Sequence, residues 1–159
     1  IYSSGMSNGG FMSYNLACNL SSKIAAIVSV TGSFSTEMLE DCNPEHPTPV
    51  MQIHGALDPT VPFDGNSALG MVPIDTTLDF WSDYNLCNPV PDLQIIDFFD
   101  LGISVDHQTY KDCQNGVRVE LFKSSGMAHT WPVESIYGIE ATSEIWSFIN
   151  QFDLSGKIE

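Results

Sequence analysis

Residues 1–31, IYSSGMSNGGFMSYNLACNLSSKIAAIVSVT, decide how this chain is built. Residues 1–4 read as the end of a strand already under way. The stretch Gly5-Met6-Ser7-Asn8-Gly9-Gly10 is too rich in glycine to continue a strand and reads as a tight turn. Over residues 11–20, Phe11, Tyr14, Asn15 and Cys18 recur at i, i+3, i+4 and i+7, the spacing of one helix face. Residues 24–31 (IAAIVSVT) form a continuous apolar, β-branched run, the pattern of a strand buried on both faces of a parallel sheet. Strand, sharp turn, helix and buried strand in this order predict an α/β fold with a mostly parallel sheet.

The rest of the chain extends that pattern. Residues 32–49 are loop-like, rich in proline, serine and acids. Residues 50–54 (VMQIH) are a second buried strand. Residues 55–73 are irregular, punctuated by Pro59, Pro62, Gly65, Gly70 and Pro73. A helix is predicted over 74–86, with Leu78 and Trp81 on one face and Asp75 as its cap. Residues 88–115 are the least regular, with one strand predicted over 93–99 and an acid-rich loop after it. Residues 117–123 (VRVELFK) alternate as a strand does. A closing helix is predicted over 139–152, with Ile145, Phe148, Ile149 and Phe152 on one face. There are no internal repeats.

The 159 residues suit one domain, 1–159. Five Lys and Arg stand against twenty Asp and Glu, a formal net charge of −15. That field repels polyanions, so nucleic acid and acidic membrane surfaces are excluded as partners. No apolar run reaches the roughly 18 residues of a membrane span. Cys18, Cys42, Cys87 and Cys113 form no CxxC pair and no zinc-ligand spacing with histidine, so no metal is expected. An even count at wide spacing fits disulfides and an extracytoplasmic, oxidising compartment. Four cysteines allow three pairings, of which Cys18–Cys42 with Cys87–Cys113 is preferred. No charged and apolar leader is visible, and a start inside a strand points to a fragment or a processed product.

The chemistry lies at strand ends. Gly5-Met6-Ser7-Asn8-Gly9 fits G-x-S-x-G between a strand and a helix, where a serine stands exposed above the sheet. The helix start favours developing negative charge there, and the Asn8 N–H is a candidate oxyanion donor. A serine nucleophile needs a base and the base needs an orienting acid. Asp58 follows the strand ending at His54, in HGALDPTVPF. His129 follows the strand ending at Lys123, in SGMAHTWP. Asp64, on the same loop as Asp58, is the reserve acid. His54 is read as a hydrogen-bonded structural histidine, and His46 and His107 as solvated surface groups. Trp131 either walls a substrate pocket or packs in the core; Trp81 and Trp146 are placed in the core. Asp97, Asp100, Asp106 and Asp112 lack EF-hand spacing and read as a solvated acidic loop.

The segments GMSNGGFMSYNLAC, HGALDPTVPFDG and AHTWP, with a closing helix containing IWSF, resemble the secreted polyhydroxybutyrate depolymerase and feruloyl esterase group of α/β-hydrolases. The resemblance runs from Tyr2 to about Phe152 and is weakest over 88–115. It implies Ser7 as nucleophile, Asp58 as acid and His129 as base. It also implies two disulfides, Cys18 with Cys42 and Cys87 with Cys113. The expected substrates are feruloyl or acetyl esters of plant polysaccharide, or a polyester such as polyhydroxybutyrate, with no cofactor. Met127-Ala128 stand where the group usually has glycines, and Val133 replaces a frequent glycine, departures that bear on substrate choice. Members of the group are longer at the N-terminus, where the early strands and the second oxyanion N–H lie. The isolated chain is therefore expected to be weakly active, since one lost oxyanion donor costs about 10²–10³ in rate. Two other readings stand beside this one. Prolyl oligopeptidase-type peptidases share a similar elbow and acid loop, and a non-catalytic carbohydrate-binding remnant of the fold would bind polysaccharide without hydrolysing it.

Overall fold

The computed structural model describes residues 1–159. Its centre is a six-stranded sheet made of β1 (Tyr2–Met6), β2 (Ala26–Val30), β3 (Val50–Gly55), β4 (Asp92–Phe98), β5 (Ile103–Tyr110) and β6 (Val119–Ser124). Their spatial order is β1-β2-β3-β6-β5-β4. The first four strands in this order run parallel, and β5 and β4 complete the sheet as an antiparallel hairpin. The helices are α1 (Asn8–Asn19), α2 (Thr36–Asp41), α3 (Ile74–Tyr84), α4 (Glu134–Tyr137) and α5 (Ala141–Ile149). A two-stranded ribbon, β7 (Phe152–Asp153) and β8 (Gly156–Lys157), follows α5.

The unbroken apolar run of β2 is explained by what covers it. Alternate residues of a strand face opposite sides. Ala26, Val28 and Val30 join one buried cluster with Ile145, Phe148 and Ile149 of α5. Ile27 joins a second cluster with Tyr14 of α1 and Ile74, Leu78 and Trp81 of α3. Helices therefore cover both faces, and β2 and β3 are buried at every position.

Several expectations are corrected. α1 begins at Asn8, three residues before the predicted start, because the chain turns at a single residue, Ser7. Residues 36–41 of the expected loop form α2, capped by the Ser35 side chain accepting from the Met38 N–H. Pro73, not Asp75, is the N-cap of α3, and Asp75 lies in its first turn. The acid-rich loop after β4 is in fact β5, a strand whose polar residues sit on a half-exposed surface. The closing helix is shorter than expected, and Phe152 pairs in the β7–β8 ribbon. Trp146 is 61% exposed and is not core, whereas Trp81 is fully buried. His107 is half-buried rather than a free surface group: it stacks on Phe122 with ring centroids 4.0 Å apart, and its Nε2 lies 3.1 Å from Glu120. His46 is half-buried, its ring nitrogens each 2.8 Å from a carbonyl oxygen, of Pro47 and Ser21.

Both disulfides form in the preferred pairing. Cys18–Cys42 ties α1 to the C-cap of α2. Cys87–Cys113 joins the segment after α3 to the segment after β5. No helix is long and apolar enough to cross a membrane.

Candidate active site

The C-terminal ends of four parallel strands make one rim. The ladder carries on past the strands there: the Ser7 N–H donates to Val30 O at 2.8 Å, and the Thr31 N–H donates to Ile53 O at 2.9 Å. Ser7 and Thr31 therefore continue the register of His54 and Lys123, with Gly55 and Ser124 one residue further on, all at the same end of β1, β2, β3 and β6.

Ser7 is the N-cap of α1, with φ 55° and ψ −118°. A positive φ is uncommon outside glycine and costs on the order of 1–3 kcal/mol. The strain turns strand into helix within one residue and leaves the Ser7 side chain at the rim. The turn closes because Gly5 lies against Gly9: a Cβ on Gly5 would stand 2.7 Å from Gly9 backbone. The Asn8 N–H, first of α1, has no hydrogen-bond acceptor and sits at the positive end of the helix.

Asp58 lies in the loop after β3, and its side chain is fully buried. Oδ1 accepts from the N–H groups of Thr60 and Val61, each at 2.9 Å. That leaves Oδ2 for His129, whose Nδ1 lies 2.8 Å away. The carboxylate accepts, so the His129 proton sits on Nδ1 and Nε2 is left as the acceptor. Asp64, the reserve acid, is exposed and makes no hydrogen bond to a histidine.

His129 leaves the sheet three strands away from β1, and its loop must run back along the rim. Gly55 makes room for that crossing. A Cβ on Gly55 would lie 2.0 Å from Met127 O, while the Leu57 N–H donates to the same oxygen at 3.0 Å. The loop is also tied to the hairpin: the Ser125 N–H donates to Ser104 O, and the Ser104 N–H to Ser125 Oγ. The structure thus joins Asp58 and His129 directly. It places Ser7 on the same rim, with no hydrogen bond between Ser7 Oγ and His129.

His54 is fully buried, as a hydrogen-bonded structural residue should be. Burial pushes its imidazole below the ordinary histidine value, against the opposing pull of Val61 O and Asp58. Trp131, two residues past His129, is 36% exposed and is not core. None of the five surface clefts is lined by Ser7, Asp58 or His129. No group of three or more His, Cys, Asp or Glu side chains is arranged to hold a metal. Sequence reading passed over Gly55; its place directly after the strand-ending His54 was the available signal.

Residues 1–77, which carry Ser7 and Asp58, match the profile of the phospholipase/carboxylesterase family. The fold is that of the α/β-hydrolases. Two curated proteins are similar along most of this hydrolase-fold chain. Feruloyl esterase B of Piromyces equi is 26% identical over 166 residues, covering 97% of this chain and 28% of its own length. NocK of Nocardia uniformis subsp. tsuyamanensis, whose name carries an inferred esterase designation, is 27% identical over 154 residues. That match covers 83% of this chain and 42% of NocK. The chain thus spans less than half the length of either curated relative.

Proposed function

We propose that this chain carries the reaction centre of a serine esterase acting on carboxylic esters. The observation that carries the reading is the 2.8 Å contact between His129 and the buried Asp58, on the rim where Ser7 sits in a strained turn. The phospholipase/carboxylesterase match and the similarity to two proteins named as esterases support it.

In the proposed mechanism, His129 Nε2 takes the Ser7 hydroxyl proton as Ser7 Oγ bonds to the ester carbonyl carbon. The negative charge moves to the carbonyl oxygen, where the Asn8 N–H and the α1 terminus stabilise it. Asp58 holds the Nδ1–H tautomer and stabilises the imidazolium. The C–O bond to the alcohol then breaks, and the alcohol leaves with the proton from His129. Water, deprotonated by His129, attacks the acyl-enzyme and frees the acid and Ser7.

The substrate class proposed is a neutral ester of the feruloyl or acetyl type on polysaccharide, or a polyester of the polyhydroxybutyrate type, met outside the cytoplasm. Two disulfides suit an oxidising compartment. The β4–β5 hairpin supports a neutral substrate. β5 runs antiparallel to β6 with Val105 opposite Ser124, so the hairpin tip extends beyond β6 on the rim side. A cleft of about 630 Å³ there is lined by Phe98, Phe99 and Leu101 with Asp97, Asp100 and Glu134, and no cation. Those carboxylates repel anionic esters. Trp131, exposed beside His129, is proposed to flank the bound ester.

The test is side-by-side hydrolysis of an aryl acetate, methyl ferulate and a proline-containing peptide. Ester cleavage without peptide cleavage is expected, and Asp58→Asn is expected to lower kcat by about 10⁴ through the wrong tautomer. Peptide cleavage at comparable kcat/KM would replace this reading with a peptidase.

A further inference from the structure

The mechanism above leaves one buried titratable group on the rim without a part. His54 lies at the end of a chain of buried polar groups whose donors and acceptors can be assigned link by link. Tyr14 Oη donates to Gln52 Oε1 at 2.7 Å, which fixes the orientation of the amide. Gln52 Nε2 then faces Gly32 O at 2.9 Å and His54 Nδ1 at 2.8 Å. An amide nitrogen donates and does not accept, so His54 Nδ1 is the acceptor and the proton is on Nε2. Nε2–H donates to Val61 O at 2.8 Å and lies 3.6 Å from Asp58 Oδ2. The same Val61 gives its N–H to Asp58 Oδ1. Tyr14, Gln52 and His54 are completely buried, so water cannot take over any of these links.

The two ends of this chain matter. Tyr14 belongs to α1, the helix that Ser7 caps. Val61 and Asp58 belong to the loop that orients His129. Between Ser7 and Asp58 the sheet interposes β2, and the side chains of Tyr14, Gln52 and His54 bridge that gap behind the rim. The chain also holds Gly32, at the exit of β2, to the same frame.

We propose that His54 is a positioning residue for the reaction centre: with Tyr14 and Gln52 it fixes the Ser7-bearing helix against the Asp58 loop and so sets the approach of Ser7 to His129. This inference rests on the reading of Ser7, Asp58 and His129 as a triad. Neutral His54 suits the task, because Nδ1 must accept from Gln52 while Nε2 donates to Val61. Four titratable groups surround it: Asp58 and His129 on the rim loops, Lys123 on β6, and Tyr14 at the far end of the chain.

Three substitutions separate positioning from ordinary packing. His54→Asn keeps an acceptor near Nδ1 and removes the donor to Val61. His54→Gln restores a donor near Nε2. Tyr14→Phe removes one hydroxyl on α1 and touches neither Asp58 nor its loop. The first readout is the rate at which a fluorophosphonate labels Ser7, as a function of pH. The second is the titration of the His129 ring followed by NMR, which needs no turnover. Displacement of a catalytic group by about 1 Å can cost 10²-fold in rate. Labelling is expected to slow by about 10- to 100-fold in His54→Asn, to recover in part in His54→Gln, which regains the donor to Val61 but not the acceptor for Gln52, and to slow several-fold in Tyr14→Phe. The His129 titration midpoint is expected to move in His54→Asn and Tyr14→Phe. Variants that lose thermal stability but keep the wild-type pH profile and His129 titration would overturn the proposal. If His54→Asn does not fold, Tyr14→Phe decides on the same two readouts. If wild-type protein is not labelled, the triad reading fails. A His129 titration that still responds to Tyr14→Phe would even then support the link, and an unresponsive one would refute it.

Discussion

Gly55 has no side chain, and the path of the loop that carries His129 depends on that. Met127 O occupies the space where a Cβ would be, so Gly55→Ala forces the loop off the rim. The expected outcome is separation of His129 from Asp58 and loss of Ser7 labelling, in a protein whose far-ultraviolet circular dichroism is unchanged. Retained labelling would show that the loop can cross elsewhere. His54 makes a second prediction at this scale. Folding lowers its affinity for a proton, so the unfolded chain binds more protons as pH falls below the ordinary histidine value of about 6.5. The stability that neutral His54 contributes is complete above that pH and is lost as pH falls through the depressed folded value. Thermal melting between pH 7.5 and pH 5 is expected to fall more steeply for wild type than for His54→Gln. Equal slopes would show that His54 is not the group responsible. At this scale the placing of Ser7, Asp58 and His129 at strand C-termini was legible, because each follows a strand pattern in the sequence; the catalytic roles proposed for them are a separate matter. The strain at Ser7 and the Asp58–His129 distance belong to three-dimensional structure, as does the polar chain behind them.

At the scale of elements, hydrophobic pattern was a good guide wherever burial is two-sided. β2 and β3 are buried throughout and announced themselves as unbroken apolar runs. β5 did not, because ISVDHQTY carries Asp106, His107 and Gln108 on a hairpin with a half-exposed surface. The closing helix was overextended because Phe152 continues the helical spacing of Ile145, Phe148 and Ile149, although its backbone pairs with Lys157. α2 was missed because six residues give too little periodicity to read; its Ser35 cap was the usable signal. The Cys18–Cys42 bridge fastens that short helix to α1 across a sequence separation of 24 residues. By loop-closure entropy a bridge of this span stabilises by about 3 kcal/mol. A Cys18→Ala/Cys42→Ala double variant is expected to lose about that much in urea unfolding. A loss near zero would mean that α2 is held by its packing alone.

For the molecule as a whole, the charge imbalance acts over a longer range than any packing contact. A net charge of −15 on 159 residues makes the folded state repel itself. Raising ionic strength from about 10 mM to 150 mM shortens the screening length from roughly 30 Å to 8 Å. The melting temperature is expected to rise over that range, and a flat response would show that the acids are spread too widely to couple. An assembled and activated Ser7 would be labelled when the folded chain meets a fluorophosphonate probe, and mass spectrometry would locate the label. A single label on Ser7 that disappears in Ser7→Ala and in His129→Ala is expected. A folded chain that takes no label, or one whose label on Ser7 persists in His129→Ala, would rule out a Ser7 activated by His129.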